Sequence, residues 1–284
     1  MCRWRKQTVD SNPKPMTGGG RTLPDFENPP AVETLLGVRF APLKSWQASH
    51  FGLFWNRIRD EYPRAEVHSA ISSVETPVMF CFPEEPHSEF DVPIRCWFMN
   101  RNEATLIQIQ RDRFIHNWRK REATQPYLHY DALRPDFERS WAQFREFLSA
   151  EGLGDPKVVE CEVTYINQIE RGQGWDSFAD LPSVVTPWRG SESTSFLPDP
   201  SLVSFTSVYP MGAREGALRV GLQPAFRPAD NKEVMQLTVT GLCRPAESTD
   251  EDILLSLDAA RGWVVQGFTA ITSSKMHQIW RRKL

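Results

Sequence analysis

Between Leu106 and Arg121 the apolar side chains change parity: Ile107 and Ile109 stand at odd positions, Phe114 and Trp118 at even ones. A regular strand keeps its core side chains in one parity, because successive residues point to opposite faces. This run is therefore not one uninterrupted strand, and a bulge or tight turn is predicted within Gln110 to Arg113. Irregularities of that kind gather beside functional sites. The same sixteen residues hold five cations, one acid, two glutamines, a histidine and an asparagine, more polar chemistry than a structural strand needs.

Elsewhere the chain alternates between two periods. Leu36, Val38 and Phe40 alternate with Gly37 and Arg39, which predicts a strand over Val32 to Phe40. Phe51, Phe54, Ile58 and Tyr62 recur at helical spacing and predict a helix from Trp46 to Tyr62, ended by Pro63. Strands are expected near Glu66 to Ser72, at Val92 to Met99 and within Ala104 to Trp118, with a proline and acid loop at Pro83 to Pro86. A second helix, capped by Asp131, carries Phe137, Trp141, Phe144 and Leu148 on one stripe and stops at Gly152. Val158 to Ile169 returns to period two, with Val159, Cys161, Val163 and Tyr165 on one face and Glu160, Glu162 and Thr164 on the other. Three more strands, at Leu202 to Tyr209, Ala217 to Phe226 and Val234 to Leu242, precede a last helix. A Ser248 to Glu251 capping box announces that helix, and Ile253, Leu257, Ala260, Val264, Phe268 and Ile271 form its stripe.

This order predicts an α+β fold of two lobes, each with a mainly antiparallel sheet packed against one or two amphipathic helices. The expected parts are a disordered tail over 1–30, a first lobe over 31–170, a linker over 171–200 and a second lobe over 201–284. The tail follows from its prolines, glycines and few apolar groups, which cannot offset ordering entropy by burial. No repeat of 20 to 50 residues is visible.

A net charge of -3 argues against a surface that is one nucleic-acid footprint, leaving only a local basic stripe for such a role. Cys2, Cys81, Cys96, Cys161 and Cys243 are odd in number and scattered, the pattern of reduced thiols in a cytoplasmic protein. No apolar run follows the first residues, and no stretch approaches the ~20 apolar residues of a membrane helix. Cytoplasmic location and no membrane contact are the expectation.

Motifs for catalysis are few. The six histidines show no His-x-x-x-His or His-Glu-x-x-His spacing, so neither metal nor other cofactor is expected. Gly18 to Gly20 lacks the Gly-Lys-Ser/Thr of a phosphate loop. Glu160 and Glu162 read as a solvated strand face, Trp175 on its Gly172 to Gly174 loop as a plug rather than a lid, and Arg281 to Lys283 as a solvated terminus. The candidate binding residues are Arg111, Arg113, His116, Asn117, Trp118 and Arg119, with no catalytic residue assigned. Arginine forks onto phosphate or carboxylate, asparagine donates and accepts, and Trp118 offers a stacking face. The competing reading has these arginines paired with Glu160 and Glu162 on a neighbouring strand, and His116 structural.

Three blocks carry a resemblance: His50 to Trp55 after the first strand, Ile107 to Arg119, and Cys161 to Asn167. Over roughly residues 30 to 280 the chain resembles a sporadically distributed family of uncharacterised bacterial proteins known only by a provisional number. The family has no established activity, so no catalytic residue carries over. The resemblance implies a patchily inherited cytoplasmic accessory protein, with a role in defence or self-immunity. The expected function is non-enzymatic binding of a protein partner or another anionic partner through Arg111 to Arg121. The alternatives are an enzyme acting on a phosphorylated small molecule, with His116 or a glutamate as base, and a single-stranded nucleic-acid binder using Trp118.

Overall fold

A computed structural model of the chain describes residues 23–71, 94–122, 124–189, 196–212 and 216–283. Cys2, Cys81, the Gly18 to Gly20 triplet and the Pro83 to Pro86 loop lie outside the described residues. The fold is α+β and its sheet is antiparallel throughout. In chain order the elements are β1 (Ala31–Phe40), α1 (Ala48–Ile58), β2 (Arg64–Ser69), β3 (Ile94–Met99), β4 (Thr105–Gln110), β5 (Arg113–Arg119), α2 (Tyr130–Ala150) and β6 (Val158–Glu170). A short 3-10 turn over Phe178–Ser183 leads to β7 (Phe205–Met211), β8 (Gly216–Arg227), β9 (Lys232–Cys243), α3 (Asp250–Ile271) and α4 (Ser274–Ile279).

All nine strands form one sheet, in the order β2-β3-β4-β5-β1-β6-β9-β8-β7. The two expected lobes therefore share a single sheet, joined where β1 pairs with β6. Each half has its first strand at the centre, its last strand next, and the others outward, and each half ends in a long helix. That is a twofold topological repeat, with a period far longer than that of solenoid repeats.

The parity break is a hairpin turn. Arg111 and Asp112 separate β4 from β5, and their carbonyls accept from the N–H groups of Leu43 (3.1 Å) and Phe40 (2.9 Å). Ile107, Ile109, Phe114, His116 and Trp118 then fall on one face with Leu36 and Val38, as the cross-strand register requires. The helices cover this face. Phe114 stacks on Phe144 of α2 at 5.2 Å, and Phe54 of α1 meets Phe144 and Phe98. The α2 stripe of Phe137, Trp141, Phe144 and Leu148 is buried, as its spacing predicts. Farther along, Gly241 of β9 lets α3 approach, because a Cβ there would stand 2.6 Å from the Ala260 carbonyl oxygen.

Several local expectations change. The N-cap of α2 is His129, and Asp131 sits in the first turn, where a carboxylate favours the helix dipole without capping. Thr249, one residue later than expected, caps α3 by accepting from the Asp252 N–H (3.2 Å). Val159 is exposed, because a register shift between Arg39 and Phe40 brings Val158 into the buried phase instead. Within the stretch expected to be a disordered tail, residues 23–30 are placed. Phe26 is buried against Phe268 and pairs with Arg282, while Lys283 binds Asp25 and Arg281 binds Glu27. The basic carboxyl end is solvated, as expected, and is also held in place by these pairs. Trp175 is buried and donates to the Ile169 carbonyl (3.1 Å), so the Gly-framed tryptophan is a plug.

Candidate anion-binding surface

Strand alternation divides the predicted site residues. His116 and Trp118 point under the helices, while Arg113, Asn117 and Arg119 project from the opposite face, which is helix-free among the described residues. Arg111 is in the hairpin turn. The six residues therefore do not form one site.

On the covered face His116 is fully buried and its Nδ1 lies 3.1 Å from Ser140 Oγ. Ser140 already donates to the Asp136 carbonyl (2.7 Å), so its oxygen receives the Nδ1 proton. Nε2 is left as a buried acceptor with no partner. Burial lowers the His116 pKa to about 4, with Asp136 pulling it back only partly. This histidine is structural and neutral. Trp118 packs edge-on against Tyr127 and offers no stacking face to a base.

On the helix-free face Arg113 donates to Glu162 (3.0 Å) and Arg39 to Glu160 (3.2 Å). The cross-strand pairing reading holds for Arg113. Next to these pairs runs a chain of polar groups: Gln108 donates to Asn117 (2.8 Å), and Asn117 donates to Glu33 (2.6 Å). Burial raises the Glu33 pKa, against the lowering influence of Asn117 and then Arg119. Gln108 Oε1 is buried with no donor. Gln110, two residues on, grips the backbone of Ile71 from both sides, accepting from its N–H (2.9 Å) and donating to its C=O (3.1 Å).

Arg95 and Trp97 of β3, which the reading of Leu106 to Arg121 did not reach, complete the surface. The guanidinium carbons of Arg95 and Arg119 lie 5.3 and 5.2 Å from the Trp97 ring, and His68 stacks on the same indole at 3.9 Å. Among the described residues no carboxylate lies within the 4.0 Å of an ion pair from either guanidinium, in contrast to Arg39, Arg64, Arg113 and Arg121. Their Nε atoms and the Trp97 Nε1 are buried without a partner. Burial lowers the pKa of both arginines, the sign of guanidinium groups partly stripped of water without full compensation. The sequence signal was available: Arg95 and Trp97 occupy the phase of β3 opposite to Ile94, Cys96 and Phe98.

At the end of this face, where β1 begins and β5 ends, a cleft of about 1020 Å³ opens between Arg119 to Glu122 and the β8–β9 hairpin. No cluster of three metal-ligating side chains exists among the described residues. No helix among them is long and apolar enough to cross a membrane. No protein-family model, curated protein or solved structure matches the chain.

Proposed function

We propose that the chain is a non-enzymatic binding protein of the bacterial cytoplasm, an accessory protein that recognises a protein partner through carboxylates presented to Arg95 and Arg119. One observation supports this above the others: two half-buried guanidinium groups flank one indole with no carboxylate of the described residues in reach. A half-buried cation without a close counter-charge is costly, and an incoming carboxylate that binds the accessible part of these guanidinium groups offsets that cost. The resemblance to sporadically inherited bacterial proteins adds a defence or self-immunity setting to this proposal. Trp118 is buried against Tyr127, which does not favour the single-strand stacking reading.

The test is an Arg95→Gln/Arg119→Gln variant, assayed for thermal midpoint and for capture of partners from lysate of the cells that make the protein, with both protein and nucleic acid analysed. Normal folding with lost capture supports the proposal. Undiminished capture sinks it. A polyanionic nucleic-acid partner would instead reveal itself by a steep fall of log affinity with log salt, about one unit of slope per phosphate contact.

A further inference from the structure

The cleft beside this surface has walls of different character. On the β8–β9 hairpin, Arg227 binds Glu170 (2.8 Å) and Asp230, and Lys232 binds Glu170 as well. These cations are already neutralised. On the opposite wall Arg121 is engaged by Glu103, while Arg119 and Lys120 have no carboxylate partner among the described residues. Between them Glu33 faces in from β1, half-buried and held by Asn117. Pro29, Val32 and Pro228 give the cleft an apolar lining. Its volume is that of sites for nucleotide-sized or drug-sized molecules, which lie at roughly 300 to 1,000 Å³.

We infer that this cleft is a second binding site, for a small organic oxyanion whose phosphate or carboxylate head lies against Arg119 and Lys120 and whose ring-sized body packs on Pro29, Val32 and Pro228. The head brings acceptors to two cations that lack them, and the hairpin wall, its charges already paired, does not compete for it. Burial raises the Glu33 pKa and so favours the neutral acid beside the head. The groups facing it are Asn117, Arg119 and Arg121 from the end of β5 and Arg95 from β3, and Gln168 is a neutral neighbour on β6. An ionised Glu33 would repel the head, so capture tightens as the pH falls and this carboxylate takes up its proton. The site shares Arg119 with the proposed partner surface but not Arg95, and the partner surface does not use Lys120.

Titration calorimetry of the full chain at roughly physiological ionic strength tests this, with phenyl phosphate and phenylacetate as probes and inorganic phosphate for the head alone. Saturable one-to-one binding of an aromatic probe, tighter than inorganic phosphate, is expected, and the stronger of the two aromatic probes identifies the head. Lys120→Gln should weaken that probe at least about tenfold, the loss of one charge-assisted contact, while Arg95→Gln, which reaches the cleft only through Glu33, changes it far less. Glu33→Gln should bind at least as tightly as wild type and lose the gain in affinity on acidification. Absence of saturable binding by every probe overturns the inference, as does equal weakening by Lys120→Gln and Arg95→Gln, which would mean diffuse attraction. Loss of partner capture in Arg95→Gln with probe binding intact separates the two sites, and probe binding lost with capture intact removes only the cleft.

Discussion

The two halves of the sheet share a strand order and a long helix each, yet they fill the same architecture with different chemistry. Under α2 the core is aromatic, with Phe40, Phe114, Phe137, Trp141 and Phe144 in mutual ring contact. Under most of α3 it is aliphatic, built on Ile253, Leu257, Ala260 and Val264, with Gly241 letting the helix backbone close on the strand and aromatic contact confined to Phe268 near the helix end. The polar groups divide the same way. Arg113 and His116, the buried basic side chains among the described residues, belong to the first half, as do Asn117, Gln108 and Gln110. The second half buries Thr164, Asn167, Ser256 and Thr272. The half that stores most of the unsatisfied polar groups is also the half with the candidate surface. Costs of this kind are retained where a ligand or partner can repay them.

The contrast can be tested most severely at Trp141, which packs against Phe40 and Phe114 and also donates to Asp250 (3.3 Å) at the start of α3. Trp141→Ala should cost about 3 to 5 kcal/mol in chemical denaturation. A loss below about 1 kcal/mol would show that the aromatic half does not depend on this stripe.

Acid should act on the first half through His116. Its folded pKa of about 4 lies below the unfolded value, so the stability it contributes is complete above about pH 6.5 and is lost as the pH falls towards 4. The full loss is about 3 kcal/mol. Glu33, raised by burial, acts in the opposite sense, since its ionisation opposes folding as the pH rises. The clean comparison is therefore Glu33→Gln against Glu33→Gln/His116→Asn, with denaturation midpoints measured from pH 7 to 4.5. Hydrogen exchange at the low end should show β4 and β5 opening before β8 and β9. Simultaneous opening would erase the distinction between the halves.

Overpacking should penalise the aliphatic half instead. Gly241→Ala forces a Cβ onto the Ala260 carbonyl and should lower stability by about 1 to 3 kcal/mol, as core insertions do. The matching change on β1, Gly37→Ala, meets the Ile115 side chain at 3.1 Å, which can give way, and should cost less. Equal costs in the two variants would mean that α3 sits no tighter on Gly241 than the neighbouring strand sits on Gly37. The smallest effect is expected where the halves meet on the surface. Arg134 of α2 forks onto Asp258 of α3 at 2.9 and 3.2 Å, but both side chains are partly exposed, so Arg134→Gln should cost about 0 to 1 kcal/mol. A larger loss would make this pair, rather than the shared sheet, the main joint between the halves.

Periodicity made the elements legible, since each depends on neighbours in sequence. The parity change at Gln110 to Arg113 located a two-residue hairpin turn, and the stripes on α2 and α3 named their buried residues. The site was less legible. His116 and Trp118 were grouped with Asn117 and Arg119 by adjacency, although the same period of two that revealed the strand places them on opposite faces. Arg95, Trp97 and Glu33 reach the surface only through the pairing of β3 with β4 and of β1 with β5, contacts that one strand's own residues do not encode. The joining of both halves into one sheet is hidden for the same reason. It rests on the β1–β6 register, in which Leu36 meets Val163.

Residues 25–28 and 280–283 run antiparallel, with Asp25 at Lys283 and Glu27 at Arg281, so both chain ends leave this junction from the same side. A pulling force applied through the two ends would load the Asp25–Lys283 end first and open the contacts one after another, as a zipper opens. Anchored by residues 25 and 283, the protein should therefore give way at low force by peeling, with Phe26 withdrawn from Phe268 before any strand of the central sheet is sheared.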